Sequence, residues 1–74
     1  MNLFEAKIGQ TVKITAVNGQ GALRRRLLDM GLTPNTKVTI RKVAPMGDPI
    51  EIRVRGYELT LRKADARLIE VEKI

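Results

Sequence analysis

Three consecutive arginines, Arg24, Arg25 and Arg26, form the densest charge in the 74-residue chain, and they sit inside a run of leucines. Clustered guanidinium groups suit phosphate, which they meet with a planar fork of donors. The segment just before them, Asn18-Gly19-Gln20-Gly21, supplies a Gly-x-Gly, so a phosphate loop is the first chemistry to test. The pattern stops short of one. The third glycine position of G-x-G-x-x-G is Arg24, and no Lys-Ser or Lys-Thr pair marks a triphosphate-binding loop. The two glycines read instead as a tight turn from a strand into a helix.

Other chemistry is narrowed by what is missing. The chain has no His, Cys, Ser or Trp. Nucleophile–base arrangements of Ser or Cys with His are therefore excluded, and so is a disulfide framework. The eight carboxylates are scattered along the sequence, and acid–base work needs a buried, adjacent pair. The sequence predicts no enzyme, no catalytic residue and no cofactor site. Without imidazole or thiolate a metal would have to rely on oxygen ligands, which hold ferrous ion weakly, so no metal-ligating residue is assigned.

What remains is charge. Fourteen Lys and Arg against eight Asp and Glu give +6, which favours an acidic partner: nucleic acid, an anionic membrane surface, or an acidic protein face. Apolar residues at 43% with 30% charged fit an ordered globular chain. Its length predicts one domain, residues 1–74. The first ten residues lack the apolar core of a signal peptide, and no apolar run approaches the ~20 residues of a membrane helix. The expectation is a soluble protein of the cytoplasm.

These residues need a scaffold, and periodicity supplies one. Residues 11–17, TVKITAV, alternate with Val12, Ile14 and Ala16 on one face, as a half-buried strand does. Residues 21–30 have high helix propensity, with Leu23, Leu27 and Met30 on one face and Gly31 ready to end the helix. Residues 37–43, KVTIRKV, begin a second strand whose phase slips at Lys42-Val43. A β-bulge there would return Val43 to the inner face. APMGDP, 44–49, is a loop, and 50–62 is a hairpin. Gly56-Tyr57 as a type II′ turn would pair Arg55 with Glu58, Val54 with Leu59, Ile52 with Leu61 and Glu51 with Arg62. Residues 63–66 make one helical turn, and 68–72 form a last strand with Ile69 and Val71 inward. Strands this short must close on themselves to hide their edges. The fold class is therefore mainly β: a small SH3-like β-barrel of about five strands, with one short α-helix inserted after the first.

Two blocks of this sequence together resemble a known family. GQGALRRRLLDMGLTP and VAPMGDPIEIRVRGYELTLRKADA are similar to FeoA, the small cytosolic component of bacterial ferrous iron uptake systems. The resemblance runs from about Leu3 to Glu72. It implies an SH3-like barrel and an accessory or regulatory role beside FeoB, a membrane iron transporter with a cytosolic G-protein domain. Membrane association would then come only through that partner. A similar domain ends the iron-dependent repressors of the DtxR type. Asn35 stands where the family often has Gly, and Asn tolerates positive φ nearly as well. The family's label of transition-metal binding gains little from a chain without His or Cys.

Contact residues follow from exposure. On a helical wheel Arg25 and Asp29 lie opposite the Leu23–Leu27–Met30 face, while Leu28 stands beside Arg24 and Arg25. Leu28 either packs beneath the adjoining loop or forms an apolar anchor with charged steering around it. Met46, at the tip of the 44–49 loop, is a soft contact. The partner-binding residues are accordingly Arg24, Arg25, Leu28 and Met46. Two other readings stand beside this one. A small basic barrel could bind nucleic acid, although Phe4 and Tyr57 are the only aromatics for stacking bases. A detached sensor domain of a repressor is the other.

Overall fold

In the computed structural model, which describes residues 1–74, the period-two segments become strands and a helix interrupts them after the first. In order they are β1 (Thr11–Val17), α1 (Gly21–Asp29), β2 (Lys37–Val43), β3 (Ile50–Val54), β4 (Tyr57–Leu61), α2 (Lys63–Ala66) and β5 (Ile69–Lys73). A 3-10 turn, Leu3–Glu5, precedes them. All pairings are antiparallel, and the sheet order is β4-β3-β2-β1-β5. One apolar core collects Val12, Ile14 and Val17 of β1, Val38 and Ile40 of β2, and the inward residues of β3, β4 and β5. Strands from both ends of the sheet share that core, so the sheet curls around it. Leu3, Leu27, Leu32 and Ala66 close the open ends.

Two irregularities set the curvature. Between β1 and β5 the register shifts between Ile14 and Ala16. The extra residue, Thr15, reverses the alternation, so Val17 rather than Ala16 is the buried residue beyond it. Simple alternation had put Ala16 inward. Between β2 and β3 the shift falls between Ile40 and Lys42, with Arg41 as the extra residue. A bulge was expected there, but one position later. It still sets Val43 opposite the buried Ile50, although Val43, at the end of β2, is 36% exposed.

The hairpin departs from the expected register. Its two-residue turn is Arg55-Gly56, not Gly56-Tyr57, and the pairs are Val54 with Tyr57, Arg53 with Glu58, Ile52 with Leu59, Glu51 with Thr60 and Ile50 with Leu61. Arg55 has φ 50° and Gly56 φ 84°. Positive φ at both central residues is a type I′ turn, whose twist matches the strands it joins. A non-glycine residue at positive φ is disfavoured. Arg55 is held there by hydrogen bonds from its guanidinium to Thr33 Oγ1 and Thr36 Oγ1, each 3.2 Å. Moving the turn by one residue displaces β4 by two positions along β3. The apolar faces are unchanged, but the charge pairs are not: Arg55 and Arg62 do not face Glu58 and Glu51.

The helix ends as its sequence demands. Gly31, at φ 95°, donates to Leu28 O at 3.0 Å, and Leu32 N donates to Leu27 O at 3.3 Å. This is a Schellman motif, and it turns Leu32 back into the core. Asn35 takes φ 72°, the conformation glycine would supply.

The sheet's two edges differ. Alongside β5 lies the N-terminal segment: Asn2 bridges to Glu70, and Val71 N donates to Met1 O at 2.8 Å. A capping box between Asn2 and Glu5 secures that segment, and Leu3 anchors it in the core. β4 forms the other edge, and no strand lies beyond it.

Candidate functional site

The turn before α1 is made by Gly19 at φ 101° and Gly21 at φ 59°. A Cβ on Gly19 would come within 3.4 Å of the Leu68 side chain. These glycines therefore serve chain direction and close packing, as the sequence indicated. The helix that follows presents its three arginines to different surroundings. Arg24 Nε donates to Val17 O at 3.0 Å, which ties the helix back to the end of β1. Arg26 reaches Asp65 of α2, Nη2 to Oδ2 3.4 Å, and the Asp65 side chain is only 15% exposed. Arg25 makes no ion pair and lines a shallow groove with Ala22, Asp29 and Met30. A run that reads as one basic cluster is thus two tethers and one free cation.

The leucines also separate. Leu27 is fully buried, and Leu28 and Met30 pack partly against the core. Leu23, placed by the wheel on the core face, is half-buried and lies outside that cluster. The core therefore lies closer to the Leu27–Leu28 side of α1 than period 3.6 about Leu23 suggests. Met46, at the loop tip, is 92% exposed. Of the four expected contact residues, Arg25 and Met46 are exposed, Arg24 is tethered, and Leu28 is partly enclosed.

A longer feature was not foreseen. From the groove beside Arg25 a second concavity, lined by Arg26, Met30, Leu61, Arg62 and Asp65, reaches Thr60 on β4. Two more, which share Thr60 and Pro49, continue past Asp48 to Val43, Ala44 and Pro45 at the base of the 44–49 loop. They run from α1 past Thr60 and Leu61, the β4 residues that line them, to that loop. Their lining carries four cations, Arg25, Arg26, Lys42 and Arg62, and four carboxylates, Asp29, Asp48, Glu51 and Asp65, and Arg62 has no ion pair. Only the sheet order reveals them, because the lining comes from segments up to about forty residues apart.

The aromatics are occupied. Two cations lie over the Phe4 ring, Lys63 Nζ 4.9 Å from its centroid and Arg67 Cζ 5.6 Å away. Tyr57 donates its hydroxyl to Met30 O at 2.8 Å, fastening the start of β4 to the end of α1. The carboxylates stay dispersed, with no group of three placed to hold a metal ion together. No helix is long and apolar enough to cross a membrane.

Comparison with known proteins gives a consistent picture. The FeoA domain family matches residues 1–73. A fusion of Fe(2+) transport protein A with the Fe(2+) transporter FeoB, from Porphyromonas gingivalis, is 39% identical over 74 residues. That match takes in all of this chain but only 9% of the fusion's length. The solution structure of a FeoA-like protein from Clostridium acetobutylicum is 42% identical, superposes with a TM-score of 0.92, and is matched over 86% of its length by the whole of this chain. At 24% identity, FeoA from Stenotrophomonas maltophilia, described as an SH3 domain protein, shares the fold with a TM-score of 0.86. That match covers 97% of this chain and 89% of the other.

Proposed function

Since this chain belongs to the FeoA domain family, which is linked to ferrous iron transport, we propose that it is a non-enzymatic accessory that works by contact with the cytosolic G-protein part of a FeoB-type transporter. The observation that carries this reading is the Porphyromonas fusion, in which a region 39% identical to this chain shares one polypeptide with the transporter. Nature's joining of two units favours their acting on each other. The surface supports contact rather than chemistry. Its free cation Arg25 can steer an acidic face, and Met46 offers an adaptable apolar contact. Arg24 and Leu28 then act from behind, Arg24 by holding α1 to β1 and Leu28 by seating the helix.

Nucleic acid is the weaker reading. Single strands need free aromatic faces for stacking, and here two cations lie over the Phe4 ring while the Tyr57 hydroxyl is fastened to α1. The register leaves Arg55 and Arg62 without facing glutamates, so the weight against this reading rests on the aromatics alone.

The test is a pull-down of the transporter's soluble G domain with the full chain. Wild type should bind, and the double variant Arg25→Glu, Met46→Asp should bind at least about tenfold more weakly, about 1.4 kcal/mol. Both positions are exposed, so the variant should keep its fold. Failure of the wild type to bind the G domain would overturn the reading. Calorimetry with ferrous ion adds an independent check, since oxygen ligands alone should give no micromolar site.

A further inference from the structure

The three methionines stand in unlike surroundings. Met30 packs partly against the core, and its carbonyl accepts from the Tyr57 hydroxyl. Met1 is 42% exposed, and its backbone is bonded to Val71 at the β5 edge. Met46 is 92% exposed and takes no part in the core cluster. Main-chain bonds hold the loop around it. Ala44 N donates to Pro49 O at 3.0 Å, Gly47 N donates to Ala44 O at 2.7 Å, and Gly47 makes the turn at φ 84°. None of these bonds involves the Met46 side chain, so the fold does not depend on it. The chain also has no Cys, His or Trp to compete for an oxidant. Oxidation of sulfur follows exposure, and exposure here singles out one atom whose change leaves the core alone.

We propose that Met46 is a reversible oxidation site, converted by hydrogen peroxide to the sulfoxide, and that the conversion switches off the apolar contact at this loop tip without unfolding the chain. The thioether sulfur attacks one peroxide oxygen with a lone pair. An S–O bond forms and the O–O bond breaks. The hydroxide released takes the proton of the transferred oxygen and leaves as water. Sulfur gives up two electrons and the peroxide accepts them. A methionine sulfoxide reductase reverses the step, with two thiols becoming a disulfide and the oxygen leaving as water. The same exposure that admits peroxide admits that enzyme. The product is polar and chiral where the thioether was apolar and adaptable. Burying it against an apolar face costs free energy unless a donor meets the new oxygen. The effect on binding rests on the reading of Met46 as a transporter contact, whereas the oxidation site stands on exposure alone.

The test treats the full chain with hydrogen peroxide and follows oxygen uptake at each methionine by peptide mass mapping. Met46 should react at least about fivefold faster than Met30 and about twofold faster than Met1. The singly oxidised chain should keep its urea midpoint and should elute earlier from a phenyl column. Reductase with dithiothreitol should restore both the mass and the retention. Met46→Leu should lose the fast phase of oxygen uptake and the shift in retention. Oxidation that begins at Met1 or Met30, a lower urea midpoint once Met46 is oxidised, or unchanged retention would overturn the proposal. The G-domain pull-down, repeated before and after peroxide, separates it from the wider reading. Wild-type binding should fall at least about tenfold on oxidation and recover on reduction. Met46→Leu, whatever its own affinity, should bind equally before and after. If the unoxidised chain binds and oxidation at Met46 changes nothing, the switch falls and the partner stands. If the unoxidised chain does not bind, while Met46 reacts first and retention shifts, the partner falls and the oxidation site stands.

Discussion

Along β5 the sheet's outer edge is bonded to residues 1 and 2, whereas along β4 the outward groups of Glu58 and Thr60 have no partner within the chain and face solvent. Both strands are five residues long, and both carry inward apolar and outward charged residues. The difference lies in what the rest of the chain spends on them. A capping box and a fully buried leucine hold a cover over β5. β4 has only guards: charges at Glu58 and Arg62, and a short length, which are the usual devices against unwanted pairing. The chain covers one edge with its own backbone and leaves the other guarded but open.

Four substitutions press on this contrast. Leu3→Ala should have the largest effect, because it removes the anchor of the β5 cover and leaves a cavity. The expected loss is about 2–5 kcal/mol in urea unfolding, and the Val71 amide should then exchange nearly as fast as the Thr60 amide. If Val71 stays protected, the cover does not depend on Leu3. Gly31→Ala acts on the β4 side. Its backbone is at φ 95°, and a Cβ would stand 2.9 Å from the Tyr57 hydroxyl that pins the start of the edge strand. A loss of about 2 kcal/mol is expected, with a shifted Tyr57 resonance as its signature. Asn2→Ala breaks the capping box, Glu5 N to Asn2 Oδ1 3.2 Å and Asn2 N to Glu5 Oε1 2.8 Å. It should cost about 1 kcal/mol and raise exchange at Val71 alone. Smallest is Lys13→Ala. Its pair with Glu72 spans 3.2 Å between half-exposed side chains, so no more than about 0.5 kcal/mol should be lost, and less at high salt.

The sequence was most legible where local chemistry decides. Each strand and both helical segments could be read from period and propensity, and Gly31, Leu32 and Asn35 announced how α1 ends and β2 begins. It was least legible where two solutions share a period. Moving the hairpin turn by one residue shifts the pairing by two, and a period-two pattern is blind to that shift. What chose between them was turn geometry, together with a tether from Arg55 to threonines about twenty residues earlier. The bulges at Thr15 and Arg41 were blurred for a related reason, since an extra residue is defined by the partner strand and not by its own neighbours. For the candidate site, the exposure of Arg25 and Met46 was readable from residue type and position. Arg24 and Arg26 were indistinguishable from Arg25, because their tethers, Val17 O and Asp65, are tertiary. The open edge was invisible until strand order was known.

The segment that covers β5 has one more effect. Because Met1 O accepts from Val71 N and the last residue is three positions further on, both ends of this unit emerge at the same pole. Termini that lie together let a unit be attached to a larger polypeptide as a side-branch, with no linker needed to travel around it. In the hydrogen-bonded order the ends leave beside β5, while β4 is the opposite margin of the sheet. A unit tied through both ends at one margin therefore keeps the other margin outside the connection.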